Sequence, residues 1–199
     1  MDVRNERRLT PRGRQTRQRI VSAAAELMHR NGVAGTTLDD VKAAAGASSS
    51  QLYHYFDDKD SLLQAVIAHQ TDAMIGMQTK VDFTTQAGRR TWRNNLVDSV
   101  NAQQCRGGCP LGSLSYEIGK NDDAALDAVA HSFRRWRQLI ESDLRTMQET
   151  GRLSYDLSPE ALASALLSAV QGGLLLSHVE RTTQPLADAL DAILTLIAQ

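Results

Sequence analysis

Proline is scarce in this chain, four among 199 residues, while alanine and leucine abound. That balance favours helix over strand. No strand-like alternation, internal repeat or low-complexity tract is present. Cysteine is nearly absent: Cys105 and Cys109 are the only two, and the basic N-terminus has no apolar segment of the secretory kind. Together these imply a reducing, cytoplasmic setting. No apolar run approaches the roughly 20 residues of a membrane span, so a membrane is not an expected partner. What is present, 42 % hydrophobic and 23 % charged residues, is the composition of a globular protein.

The net charge of −1 hides an asymmetry. Residues 1–20 carry Arg4, Arg7, Arg8, Arg12, Arg14, Arg17 and Arg19 against Asp2 and Glu6, and the remainder is acidic. A basic arm on an acidic chain points to a local polyanion contact; a solvated tail is the plainer alternative.

Periodicity predicts a helix from Gln15 to Arg30, with Ile20, Ala24, Leu27 and Met28 on one face and Asn31-Gly32 as its stop. Thr36-Thr37 caps a short helix over Leu38–Ala45, broken by Gly46. Ser48-Ser49-Ser50 caps another that runs to about Phe56, and Asp57-Asp58 caps one from Lys59 towards Gln78. Two short helices across a glycine turn form a helix-turn-helix pattern. Leu52 and Phe56 face inward from its second helix, which leaves Ser50, Tyr53 and His54 outward at i, i+3 and i+4. Further helices are expected over Thr91–Gln104, Leu111–Ile118, Asp122–Thr150, Pro159–Arg181 and Pro185–Ala198.

The first 65 residues resemble the TetR family of bacterial repressors. The matching text is Arg19-Ile20-Val21, Ala24-Ala25, Gly32, Thr36-Thr37, Val41-Lys42-Ala43-Ala44-Ala45-Gly46-Ala47-Ser48, Leu52-Tyr53-His54-Tyr55-Phe56, Lys59-Asp60 and Leu62-Leu63. Two departures are Lys42-Ala43, where the family more often has isoleucine before the alanine, and Ser50, often glycine. The segment Gly108-Cys109-Pro110-Leu111-Gly112-Ser113-Leu114 is similar to the LmrA/YxaF-like subgroup. The resemblance implies an all-α protein: a helix-turn-helix domain with its basic arm over residues 1–58, then a larger helical domain over 59–199 for effector binding and dimerisation. It implies a ligand-responsive repressor that binds a double-stranded, palindromic DNA operator.

The chemistry of the first domain fits DNA. Tyr53 and His54 project from the recognition helix, Gln51 can pair with adenine, and Ser49 and Ser50 suit phosphate or bases. Thr37 at one helix start and Lys59 at another suit phosphate. Tyr53 as a packing residue and Lys59 as a solvated charge are the alternatives.

One recognition helix reads few base pairs, so a homodimer is expected. Leu166, Val170 and Leu174, then Leu190 and Leu194, line the last two helices as a candidate interface, with Gly172-Gly173 permitting close approach. Intramolecular core accounts for part of that surface.

The small-molecule effector implied by the resemblance has Trp92, Gln104, Cys109, Tyr116, Phe133, Trp136, Gln171 and His178 as candidate contacts, although aromatics at helical spacing more often form core. Cys105 and Cys109 lack further ligands for a metal. A thiol sensor is conceivable, because Cys109 precedes a helix and helix N-termini lower thiolate pKa; a structural role is the plain reading. A thiol-dependent enzyme would need a base, and the nearest histidines in sequence are His69 and His131, with no triad or phosphate loop in view. No catalytic residue, cofactor or metal is therefore expected. A carrier without DNA binding conflicts with the intact recognition helix.

Overall fold

The computed structural model describes residues 9–118 and 122–198, and every regular element among them is helical. Arg4, Arg7 and Arg8 of the expected basic arm lie outside the described residues. Helix α1 (Pro11–Asn31) begins four residues before the expected Gln15. Its start lies in chemistry that apolar periodicity does not register: Thr10 Oγ1 accepts the Gly13 N–H at 3.1 Å and Pro11 takes the first helical position, where a missing N–H costs nothing. Helices α2 (Leu38–Ala45), α3 (Ser49–Tyr55) and α4 (Lys59–Gln78) follow the expected bounds closely.

Helix α5 (Gln86–Ala102) also starts ahead of its expected Thr91, because Thr85 Oγ1 caps it by accepting the Gly88 N–H. Then come α6 (Pro110–Glu117), α7 (Asp123–Glu149), α8 (Pro159–Glu180) and α9 (Gln184–Ile197).

The chain gathers into two compact units. The first holds the chain up to Asp72 together with Ser113–Ser132; the second holds Ala73–Gly112 and Phe133–Gln199. In the first, Ile20, Ala24 and Met28 of α1 are buried with Val41 and Ala45 of α2, Leu52 of α3, Phe56, and Leu62, Val66 and Ile67 of α4. Those α4 side chains place Lys59–Asp72 with the first unit by compactness, beyond the boundary after residue 58 at which the resemblance divides roles.

The second unit is built around α8 and α9, which pack along their length. By length and composition α8 can cross a membrane, contrary to the expectation from uninterrupted apolar runs. Serine, glycine and glutamine interrupt its apolar text without adding charge. Leu162, Ala163, Leu166 and Val170 of α8 are covered inside the chain, as are Leu186, Leu190 and Ile197 of α9. The expected interface residues Leu166, Val170, Leu174 and Leu190 are therefore core, because their periodicity is that of two helices packing on each other.

Gly173 fixes that packing. A Cβ there would meet Leu186 Cα at 2.7 Å and Leu186 Cδ1 at 2.9 Å, so backbone as well as side chain would have to yield. Gly76, in the last turn of α4, has open space where a Cβ would stand among the described residues. Replacing Gly173 with alanine is expected to cost about 1–3 kcal/mol through overpacking. Gly76→Ala is expected to gain about 1 kcal/mol from helix propensity. Urea unfolding followed by circular dichroism measures both.

Candidate nucleic-acid interface

Gly46 ends α2 in left-handed backbone, φ 56, a conformation that costs a Cβ-bearing residue energy. Its N–H reaches Ala43 O at 3.2 Å and the Ala47 N–H reaches Lys42 O at 3.0 Å, which closes the helix end. From α1, Arg19 Nε donates to Ala45 O at 2.7 Å and satisfies another terminal carbonyl of α2. Ser48 then caps α3: its hydroxyl accepts the Gln51 N–H, and Gln51 Oε1 accepts the Ser48 N–H at 2.9 Å. Leu52 and Phe56 are buried, and the Arg17 guanidinium lies 5.3 Å from the Phe56 ring centroid. Neither arginine contact is visible in sequence, where both residues read only as charge.

This framework turns Ser50, Tyr53 and His54 outward together, with Tyr53 57 % exposed. Ser49, also exposed, accepts from Lys42 Nζ, which pairs with Asp39. Two candidates are engaged elsewhere. The Thr37 hydroxyl and N–H both donate to the Asp40 carboxylate, at 2.6 and 3.0 Å, so the cap occupies the donors that a phosphate would need. These same contacts hold the Asp40 carboxyl below its ordinary range. Gln51 uses its amide oxygen in the cap of α3, which leaves only its NH2 group for a base rather than the bidentate edge that adenine takes.

Lys59 is half-buried at the start of α4, but Asp58 already accepts the Ser61 N–H there at 2.7 Å, so a phosphate meets a carboxylate at that helix end. Arg12 and Arg14 are exposed on the first turn of α1.

Residues 20–66 match the model of bacterial regulatory proteins of the tetR family, and residues 89–193 match that of the tetracyclin repressor-like C-terminal domain. The chain belongs to the TetR family. It is a transcriptional regulator and not an enzyme. The HTH-type transcriptional repressor DhaR of Mycobacterium sp. strain GP1 is 24 % identical over 185 residues, covering 91 % of this chain and 89 % of DhaR. The regulator LmrA of Bacillus subtilis is 24 % identical, covering 86 % of this chain and 90 % of LmrA. A regulatory protein TetR from Rhodobacter sphaeroides shares the fold with a TM-score of 0.80 at 23 % identity, covering 90 % of this chain and 97 % of that one.

Of the expected effector contacts of this TetR-family chain, Cys109 and Gln171 come together. Tyr116, in the first unit, is 88 % exposed, and Gln104 is exposed in left-handed backbone beside Cys105. In the second unit Trp92 packs edge-on against Phe83 with centroids 5.2 Å apart, as core. Phe133 is half-buried. His178 Nδ1 accepts the Gly107 N–H at 3.2 Å, which ties the loop before α6 to α8.

Cys109 lies against Gln171 and Gly112. Burial raises its thiol pKa, and that outweighs the Gly112, Gln171 and Leu111 groups that pull it down. The sensor reading needed the opposite balance: the thiolate is disfavoured here despite the helix start. Among the described residues no three metal-ligating side chains converge.

Trp136 is buried, and its indole N–H donates to Gln78 Oε1 at 3.3 Å. Gln78 also faces Asp143, whose carboxyl is raised by burial, lowered by Gln78 and raised again by Asp82. Trp136 was an expected contact, but Gln78 and Asp143 were not, since one glutamine and one aspartate on separate helices carry no sequence signal.

A raised folded-state pKa means the native protein holds a proton that the unfolded chain has lost, so stability falls as pH rises from 3.8 through the folded value. At neutral pH the Asp143 carboxylate therefore opposes folding. Asp143→Asn is expected to raise the Tm at pH 7 and to lose that advantage in acid, as thermal melts across pH would show.

Proposed function

We propose that the chain is a repressor that binds a palindromic operator as a homodimer in the cytoplasm and is released by a small apolar or aromatic effector. The observation that carries this is the outward row Ser50, Tyr53 and His54 on a helix whose other face is anchored by Leu52 and Phe56. A tyrosine more than half exposed, held rigidly from behind, is a side chain placed to meet something outside the protein. The repressor name of DhaR, which aligns over most of the chain, favours repression over activation. In this reading residues 1–58 carry DNA binding and 59–199 carry the effector and dimer functions.

Tyr53→Ala is expected to keep the thermal melt within the range of a surface substitution. It should weaken binding to the DNA adjoining the gene by about 1–3 kcal/mol, roughly 5- to 150-fold in fluorescence anisotropy. A folded variant with undiminished affinity would refute the DNA contact.

For dimerisation the candidate surface moves from the buried leucines to an exposed apolar stripe on α8. Leu175, Leu176 and Val179 are 57, 48 and 68 % exposed. A Cβ added at Gly172, one turn earlier on the same stripe, would meet no other part of the described residues within 4 Å, which leaves room for a second helix. Leu196 of α9 adds a further exposed apolar side chain. In sedimentation velocity at micromolar concentration, the unmodified chain is expected as a dimer and Leu175→Asp with Val179→Asp as a monomer. A dimer that survives both charges would place the interface elsewhere.

Release requires coupling. Helix α4 belongs to the first unit through Asp72 and to the second from Ala73, and α6 divides after Gly112. Glu117, at the end of α6, accepts the Val33 N–H at 2.5 Å in the turn between α1 and α2. An effector that prefers one arrangement of α4 and α6 can therefore bias the recognition helix. By linkage, DNA then weakens effector binding by the same factor, typically ~1–3 kcal/mol.

A further inference from the structure

The second unit has a groove of about 510 Å³ lined by two facing stripes. From α5 come Arg89, Arg90 and Arg93; from α9 come Asp191, Leu194 and Thr195. Each set follows helical spacing, so each is one face of its helix. Leu194, expected at a dimer interface, lines this groove, about half a turn around α9 from the exposed Leu196.

Three cations face one carboxylate here. Arg93 and Asp191 neutralise each other through a two-pronged contact, Nε–Oδ1 at 2.9 Å and Nη2–Oδ2 at 2.7 Å. Arg90 is exposed and has no ionic partner among the described residues. Arg89 is only 7 % exposed. Its Nη1 donates to Phe83 O, Thr84 O and Met147 Sδ, all uncharged acceptors, while Nε and Nη2 donate to nothing among the described residues. Arg152 adds to the local positive charge, since it donates to the same Thr84 carbonyl. A buried guanidinium with no counter-charge is costly, and a guanidinium with two unused donors is shaped to receive an oxyanion.

We infer that this groove between α5 and α9 binds a small organic anion, with a carboxylate or phosphate headgroup on Arg89 and Arg90 and an apolar body against Leu194. The volume is that of a small-molecule site. Leu194 supplies apolar contact, and Thr195 a hydroxyl for orientation. Asp191 acts as an internal competitor, because it holds the one arginine that could otherwise serve as a third donor. The site requires neither the recognition helix nor an operator.

The test is titration calorimetry of the full chain with three probes that share one ring: benzoate, phenyl phosphate and neutral benzamide. Either anion is expected to bind and benzamide is not, and whichever headgroup binds more tightly names the ligand's class. Arg90→Ala, an exposed position that leaves the Arg89 contacts intact, is expected to weaken the anion at least fivefold. Asp191→Asn is expected to tighten it severalfold by freeing Arg93. A merely structural role for these residues would not produce opposite shifts. No binding of either anion at millimolar concentration, equal binding of benzamide, or affinities unmoved by both substitutions would each overturn the inference.

Discussion

A helix of seven residues cannot hold itself in water, because it closes too few hydrogen bonds to offset the ordering of its first turn. The position of α3 must therefore come from its neighbours. Leu52 and Phe56 bury its inner face, Ser48 and Gln51 close its start, and Gly46 and Arg19 fix the end of the helix before it. With these constraints in place, the outer face keeps only light structural contacts, Ser50 with the Ser48 hydroxyl at 3.0 Å and His54 edge-on to Tyr55. The cap also divides the polar residues of this region. Thr37 and Gln51 serve the backbone, whereas Ser50, Tyr53 and His54 remain turned to solvent.

The second unit solves a different problem. Helices α8 and α9 are long enough to persist, and their difficulty is distance. Gly173 brings α8 within touching range of the Leu186 backbone, and the leucines around it fill the seam. The same closeness explains why α8 shows two apolar stripes. One is consumed by α9, and the other, from Gly172 to Val179, stays exposed among the described residues.

Much of this was legible in sequence. Helix ends written in Ser, Thr, Gly and Pro were read closely for α2, α3, α4, α8 and α9. The starts of α1 and α5 were read late because Thr10-Pro11 and Thr85 lie ahead of the apolar periodicity that guided the reading. The outward row on α3 was legible because i, i+3, i+4 spacing on a short helix with two buried anchors admits one solution. The leucines of α8 and α9 were assigned to an interface because periodicity reports that a face is covered, not by what; Leu166 and Leu175 have the same chemistry and opposite fates. Cys109 had two readings open for a related reason: a helix start and burial pull its thiol in opposite directions, and the fold favours burial.

Arginine shows the same lesson in terms of charge. In sequence the residues from Arg12 to Arg19 form one basic block, and those from Arg89 to Arg93 form another. In the first block, Arg17 lies against a ring and Arg19 donates to a carbonyl, so only part of the block is left to meet a polyanion. In the second block, Arg93 finds a carboxylate, while Arg89 is buried among neutral acceptors. Water stabilises Arg12 and Arg14 where they stand, so their charge needs no partner. Arg89 has little water and no carboxylate, and the difference must be carried by neighbouring dipoles or by an anion from outside. The first block can therefore act on a polyanion at long range through its exposed members, whereas the second can act on an anion only at contact, where geometry as well as charge decides what binds.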